Sequence, residues 1–183
     1  MKHEDIIKPV RNWVETVVIG LNLCPFAKRE LVRNRVRFSV TEALTEEQLL
    51  EDLQAELELL NNDETIETTL LIHPDVLQDF YDYNQFLNYV DDLLGQLELD
   101  GIYQVASFHP KYQFGGTEPD DVENYTNKSP YPMLHLIRES SLEQAIASYP
   151  DSDKIPERNI ELLETMGREK MSALLQACFN DDK

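Results

Sequence analysis

The spacing of apolar residues predicts a chain of alternating helices and strands. Apolar side chains recur at helical intervals from Trp13 to Leu21, which predicts an amphipathic helix over about the first 21 residues. Residues 36–41, VRFSVT, alternate apolar and polar positions as a strand does. Residues 45–60 open with the capping-box pattern TEEQ and place leucines on one face, which predicts a second helix.

The remainder of the chain continues this alternation. We predict strands at residues 68–74, 103–110 and 133–139, a helix at 80–97, and helical structure from Ser141 to about Phe179. Strands joined through helices are usually parallel neighbours. The pattern therefore predicts an α/β (or α+β) fold with a single mixed sheet of about four strands, packed with helices that include an N-terminal helix and a helical C-terminus. No repeat or linker divides the chain, so residues 1–183 are expected to form a single globular domain.

A long irregular segment, residues 107–132, separates the third strand from the fourth. Segments of more than about a dozen residues without regular structure are usually functional or disordered. The prolines and aromatic residues of this segment favour a packed, ordered loop. Ligands of such sheets bind beyond the carboxyl ends of the strands, and this segment leaves from that edge. We therefore expect a site there.

Histidines stand at the ends of two predicted strands. His73 and His109 each precede a proline that ends the strand, and the fourth strand brings His135 near the same edge. With Asp120 and Asp121, the three histidines are candidate ligands of a divalent metal, and His109 with either aspartate is a candidate acid/base pair. Their spacing matches no standard metal motif. The alternative is that the aspartates cap local turns and the histidines bind backbone carbonyls.

Cys24, in GLNLCPFAKREL, is a second candidate for chemistry. If Pro25 takes the first position of a short helix, Cys24 is the N-cap, where free N–H groups favour a thiolate. The residue would then be a nucleophile, a metal ligand or a redox sensor, with Arg29 one turn further on. The alternative is that Cys24 is a small apolar residue buried between Leu23 and Phe26.

Charge narrows the range of partners. With 35 acidic and 16 basic residues the formal net charge is −19, so general nucleic-acid binding is not expected. Basic residues crowd together at 28–37, where an acidic surface could meet them within the fold or in a dimer. The alternative is that these basic residues form a site that binds an anion. The candidate substrate contacts are Arg29, Arg37, Arg138, Tyr112, Asn124 and Asn127.

The sequence also indicates the cellular compartment of the protein. No apolar run approaches the roughly 18 residues of a membrane span, and the N-terminus lacks the apolar stretch of a secretory signal. The wide spacing of Cys24 and Cys178 is not typical of a disulfide framework, although the sequence leaves a pair between them open. A cytoplasmic protein without membrane contact is expected.

Two stretches carry a resemblance to a known family. GLNLCPFA and SFHPKYQFGGTEPDDVENYTNKSPYPMLHLIRE are similar to a family of bacterial proteins of about this length, classed as a domain of unknown function. The resemblance runs over nearly the whole chain and implies no catalytic assignment. Motifs for phosphate loops, dinucleotides, zincins, nucleophile elbows and paired CxxC sites are absent from the sequence.

Two hypotheses of function follow. The first is an enzyme that acts on a small anionic metabolite with a His/Asp site, metal-assisted or not, or a Cys/His site beside the 107–132 loop. The alternative is a non-catalytic binding or regulatory protein that uses the aromatic loop to recognise a partner. A deep pocket that joins His109 to Cys24 or to the aspartates would favour the enzyme.

Overall fold

The computed structural model describes residues 2–180 and contains one mixed sheet. Its strands lie in the order β1-β2-β4-β3, with β1 at Val36–Val40, β2 at Thr68–Ile72, β3 at Tyr103–Phe108 and β4 at Met133–Arg138. β1 runs parallel to β2, whereas β4 runs antiparallel to both β2 and β3. The fold is therefore α+β with a partly parallel sheet, which confirms the fold class predicted from the sequence.

Seven α-helices occur within the described residues. They are α1 (His3–Trp13), α2 (Ala27–Val32), α3 (Glu46–Asn62), α4 (Phe80–Gln96), α5 (Glu139–Ser148), α6 (Ile155–Met166) and α7 (Arg168–Ala177). The N-terminal helix differs from its prediction in form, because a π-helix at Val14–Ile19 continues α1. Both segments bury one apolar face, so the periodicity predicted their burial correctly.

The helices cover the two faces of the sheet with separate apolar clusters. α3 and α4 pack on one face, where Leu53 and Phe86 meet Leu134 of β4. The N-terminal helix and the C-terminal helices pack on the other face around Trp13 and Met133. Successive side chains of a strand point to opposite faces of the sheet, so alternate residues pack into opposite clusters.

Side chains at their N-termini fix the start of α3 and α4. The Thr45 hydroxyl accepts a hydrogen bond from the Gln48 amide at 3.3 Å, which confirms the predicted cap. The Asp79 carboxylate accepts from the amides of Tyr81 and Asp82 at 2.9 and 3.3 Å. The Asp79 cap sets where α4 begins, and Tyr83 near the start of α4 reaches the end of β3.

Three strands end at the same edge of the sheet. Ile72 at the end of β2 pairs with Val40 of β1 and with Met133, the first residue of β4. Met133 pairs in turn with Phe108 at the end of β3. The carboxyl ends of β1, β2 and β3 therefore meet the start of β4, and the long segment between β3 and β4, residues 109–132, leaves from this edge.

Arg138, the last residue of β4, ties the opposite edge of the sheet to the end of α3. Its Nη2 donates to the carbonyls of Leu60, Asp63 and Ile66 at 2.5, 3.1 and 2.9 Å. Its Nη1 donates to the Tyr103 hydroxyl at 3.0 Å. The guanidinium thus binds carbonyls that α3 and the following turn leave without helical partners.

Replacing Arg138 by methionine should destabilise the fold strongly. The variant leaves these carbonyls without their charged donor, and hydrogen bonds to charged groups contribute about 1.5–3 kcal/mol each before solvent replaces part of them. We expect a loss of roughly 2–4 kcal/mol in the free energy of unfolding, measured by urea denaturation. Arg158→Met, at an exposed hydrogen bond to Tyr149, is the matched control; equal losses in the two variants would contradict the role given to Arg138.

Candidate functional site

Tyr83 of α4 holds the carboxyl edge of the sheet together. Its hydroxyl donates to the Met133 carbonyl at 2.7 Å and accepts from the Phe108 amide at 3.1 Å. The side chain is fully buried, and burial raises the pKa of the phenol above its ordinary value. A neutral hydroxyl therefore bridges the last residue of β3 and the first residue of β4.

The rings of His73 and His109 both pack against Tyr83. Their centroids lie 5.7 and 5.1 Å from the Tyr83 centroid. The His73 ring lies with Nδ1 3.0 Å from the Val76 carbonyl, so Nδ1–H is the donor there. Burial lowers the pKa of His73 to about 4, so this imidazole is neutral near pH 7.

His109 uses both ring nitrogens within the fold. Nδ1 accepts from the Lys111 amide at 3.0 Å, which leaves the proton on Nε2 to donate to the Leu77 carbonyl at 3.0 Å. The residue is 1% exposed. Burial holds its pKa below the ordinary value. The second interpretation from the sequence, in which the histidines bind backbone groups, describes this geometry.

His135 lies on the opposite face of the sheet from His73 and His109, so the expected convergence of three histidines is wrong. Its neighbours Leu134 and Leu136 take the α3–α4 face, which sends His135 to the other one. There its Nε2 lies 2.7 Å from the Thr68 hydroxyl, and burial lowers its pKa to about 4.

The two aspartates do not join His109 either. Asp120 pairs with Arg168 of α7, with 2.6 Å between Oδ2 and Nη1. Asp121 accepts from the Glu118 amide at 2.8 Å and so caps a local turn. Within residues 2–180, no group of three or more His, Cys, Asp or Glu side chains is placed to hold a metal ion.

Asn124 and Asn127, both predicted to contact substrate, hold the loop together through side-chain hydrogen bonds. Asn124 is fully buried; its Oδ1 accepts from the Phe114 amide and the Thr117 hydroxyl, and its Nδ2 donates to the Glu118 carbonyl. These bonds fold the segment back on itself, and a short 3₁₀ helix forms at Val122–Thr126.

Asn127 attaches the returning end of the loop to β3. Its Nδ2 donates to the Ser107 carbonyl at 2.9 Å, and its own carbonyl accepts from the His109 amide at 3.2 Å. Tyr112 adds a contact between its hydroxyl and the Ser107 hydroxyl at 3.2 Å, and its ring lies 5.0 Å from that of Phe80. The polar groups of the segment are thus largely engaged inside it.

Cys24 differs from its predicted environment. α2 begins at Ala27 with Phe26 as its N-cap, so Cys24 lies before the cap and not on it. Burial raises the pKa of the thiol, although hydrogen bonds from the amides of Phe26 and Ala27 act in the opposite direction. A thiolate is therefore disfavoured, and the thiol is free of any disulfide.

The predicted anion-binding arginines separate into paired and exposed groups. Arg37 donates through Nε and Nη2 to Glu56 at 2.8 and 2.9 Å, a forked pair that also raises the pKa of Arg37. Arg138 is held by backbone carbonyls as described above. Arg29 remains exposed, with Glu30 at 3.4 Å. Arg37 and Arg138 are therefore engaged within the fold, and Arg138 lies at the opposite end of the sheet from His109.

Concave surfaces lie elsewhere on the molecule. One groove is lined by Pro150, Lys154 and Arg158 beside α6, and another by Arg168, Ser172 and Gln176 of α7. Neither groove is lined by a residue that the sequence predicted to be catalytic. No helix within the described part of the chain is long and apolar enough to cross a membrane.

Sequence reasoning missed Tyr83 and Phe80 as parts of this edge. Both lie in the helix predicted at residues 80–97, where Tyr83 stands at helical spacing with apolar residues, a pattern typical of the core. The periodicity is correct, but it does not show which backbone groups a buried hydroxyl will meet. The available signal was a tyrosine, rather than a phenylalanine, at a buried position, since buried phenols usually have a hydrogen-bond partner.

The chain matches a family model over nearly its whole length. The model, described as "Protein of unknown function (DUF1415)", matches residues 5–173, so the chain belongs to this family. No curated protein and no solved structure matches the chain. The family resemblance noted in the sequence is thereby confirmed.

Removing the Tyr83 hydroxyl should destabilise the carboxyl edge. In Tyr83→Phe, the Met133 carbonyl and the Phe108 amide lose a shared partner in the interior, and each unsatisfied buried group costs about 1–3 kcal/mol. We expect a fall of about 2–4 kcal/mol in the free energy of unfolding by urea denaturation. Tyr89→Phe on the exposed side of α4 should change the free energy of unfolding by less than about 0.5 kcal/mol. A similarly small change in Tyr83→Phe would contradict the bridge that the Tyr83 hydroxyl makes between Phe108 and Met133.

Stability should fall as the pH drops from about 6.5 toward 4. The pKa values of His73 and His135 are lowered to about 4 by burial from an ordinary value of 6.5, so the unfolded chain binds more protons in this range. Their contribution is complete above pH 6.5 and declines below it, by up to about 1.4 kcal/mol per pH unit for each histidine. Urea denaturation across this range should give a shallower slope for His135→Gln than for wild type; an unchanged slope would contradict burial of a neutral His135.

Proposed function

We propose that the protein is a non-catalytic binding or regulatory protein, and that the segment at residues 109–132 is a rigid element of its recognition surface. One observation carries this proposal. His109, the residue best placed by sequence for acid/base chemistry, is 1% exposed and spends both ring nitrogens on backbone groups. A general base must reach the proton that it removes, and this imidazole faces the interior.

The internal bonds of the segment support the same interpretation. Asn124 and Asn127 fix its shape from within, while Lys128 donates from Nζ to the Pro119 carbonyl at 3.0 Å. A surface whose shape is set before binding loses less conformational freedom on association. Rigidity of this kind benefits recognition as much as catalysis, so it does not require a reaction.

The exposed tip of the segment suggests the chemistry of its partner. Gly115 and Gly116 form an exposed turn, and Glu118 follows with an exposed carboxylate, while Asp120 pairs with Arg168. The chain as a whole carries a formal net charge of −19. Complementary potentials steer association, so the partner proposed here presents a basic surface to this tip.

The enzyme hypothesis receives less support from the arrangement of the residues. Cys24 has a raised pKa, Asp120 is paired with Arg168, and His135 lies on the far face of the sheet. A small-molecule site would need polar groups that converge on a common space. We therefore retain an anionic metabolite as the competing outcome of the following test.

The experiment compares two single charge reversals. Glu118→Lys changes the tip at a side chain that is exposed, and Glu51→Lys makes the same change on the exposed face of α3. Tagged wild-type protein and both variants are used to capture partners from a lysate of the source organism, and captured proteins are then purified and titrated. We expect one partner whose affinity falls about tenfold or more in Glu118→Lys and less than threefold in Glu51→Lys.

Two results would contradict this function. A partner that binds Glu118→Lys as well as wild type would place recognition elsewhere. The second result comes from thermal melting with a panel of anionic metabolites and divalent metals. If one of them raises the melting temperature saturably and no partner protein is captured, the enzyme hypothesis is favoured.

A further inference from the structure

β1 is an edge strand whose outer side is open. All five of its residues are partly exposed, whereas four of the five residues of β2 are buried. The Thr41 amide donates to the Ile72 carbonyl at 3.0 Å, and the Arg35 carbonyl accepts from the Glu67 amide at 2.8 Å. Backbone groups alternate in direction along a strand, so those of Val36, Phe38 and Val40 point away from β2.

These outward groups make no hydrogen bond within residues 2–180. The other edge of the sheet is treated differently by the fold. On β3, the Tyr103 amide donates to the Leu99 carbonyl, and the Ser107 carbonyl accepts from the Asn127 side chain. The chain therefore covers both ends of the β3 edge and leaves the β1 edge free. A free edge is a template for pairing with another strand.

The charges at the two ends of β1 are opposite in sign. Arg33 precedes the strand and Glu42 follows it. Arg35 is already paired with Glu30 and Glu67, so Arg33 supplies the available positive charge. If a second β1 pairs antiparallel about Phe38, the turn at residues 33–35 lies against residues 41–43 of the second copy. The basic end of each strand then meets the acidic end of the other. Parallel pairing would set like charges together.

Exposed apolar side chains flank the strand symmetrically. Val32 is 76% exposed and Leu44 is 68% exposed, and they stand at equal distances from Phe38 along the chain. Antiparallel pairing brings each of them toward the end of the second copy where the other lies. Large apolar side chains exposed at the rim of an unpaired edge are typical of an interaction surface.

We propose that the open edge of β1 binds the same edge of a second copy of this chain, which joins two sheets antiparallel about Phe38. Phe38 then bonds to Phe38 of the second copy, and Val36 bonds to its Val40. The high net negative charge opposes association over long distances, but the Debye length of about 8 Å in physiological salt screens it, whereas charges in contact across the edge are screened far less. This interface is separate from the 109–132 segment and goes beyond the proposed function.

A proline at the edge tests the hydrogen bonds directly. Val36→Pro removes an outward N–H at the first residue of the strand, where proline is tolerated, and leaves the bonds to β2 intact. Val36→Ala shortens the same side chain but keeps the N–H, and so controls for packing. By light scattering, wild type and Val36→Ala should have twice the monomer mass of 21.3 kDa at high concentration, and Val36→Pro should remain a monomer.

Charge reversals test the register. Arg33→Glu and Glu42→Arg should each raise the dissociation constant of the dimer about tenfold, and the double variant should restore it to within about threefold of wild type. Thermal melting of each variant at low concentration shows whether the monomer fold is retained. Without this restoration, the antiparallel register about Phe38 is excluded.

Amide exchange provides a readout that does not depend on substitution. The amides of Val36, Phe38 and Val40 should become protected as the protein concentration rises, while those of Arg37 and Ser39, which face β2, should be protected throughout. A protein that is monomeric at every concentration overturns the proposal. So does a dimer that leaves the Val36, Phe38 and Val40 amides in fast exchange, because its contact would lie on another surface.

Discussion

The hydrogen-bonded hydroxyl of Tyr83 is the interaction on which the carboxyl edge of the sheet depends. It accepts from β3 and donates to β4 at the point where β3 ends and β4 begins. The rings of His73 and His109 pack against the ring of Tyr83, and each binds a carbonyl in the turn before α4. The positions of α4, the strand ends and the long segment are therefore linked through one buried aromatic side chain.

This arrangement shows how residues that resemble catalytic groups can order a loop. A segment of more than about twenty residues between two strands has many backbone groups that no sheet or helix satisfies. Asn124, Asn127 and His109 supply the missing partners from their side chains. The same donors and acceptors that suit an active site are here the means of ordering a loop.

Repeating patterns in the sequence predicted the elements of the fold well, because apolar spacing reflects burial directly. The order of elements also placed the ends of β2 and β3 at one edge. The face taken by His135 was missed because a shift of one residue in a strand reverses the side on which every side chain lies. The presence of three histidines near one edge does not show on which face of the sheet each of them lies.

The candidate site was predicted less well for a related reason. The prediction of a thiolate at Cys24 required a short helix that begins at Pro25. The helix begins two residues later, at Ala27. Arg37 and Arg138 found partners in α3 and beyond it, at sequence separations that local pattern does not record. Spacing identified the residues with reactive or charged side chains. Tertiary contacts determined which of those side chains are already hydrogen-bonded or paired within the fold.

The measurement that tests this account most directly is a pH titration of the His109 ring by nitrogen NMR. We expect a neutral ring with its proton on Nε2, Nδ1 hydrogen-bonded as an acceptor, and a pKa below the ordinary value of 6.5. The same signals should persist when the protein is saturated with a binding partner. A ring that titrates at or above 6.5 with averaged tautomers would show that His109 is accessible to solvent, and would contradict the assignment of this residue to the structure of the loop.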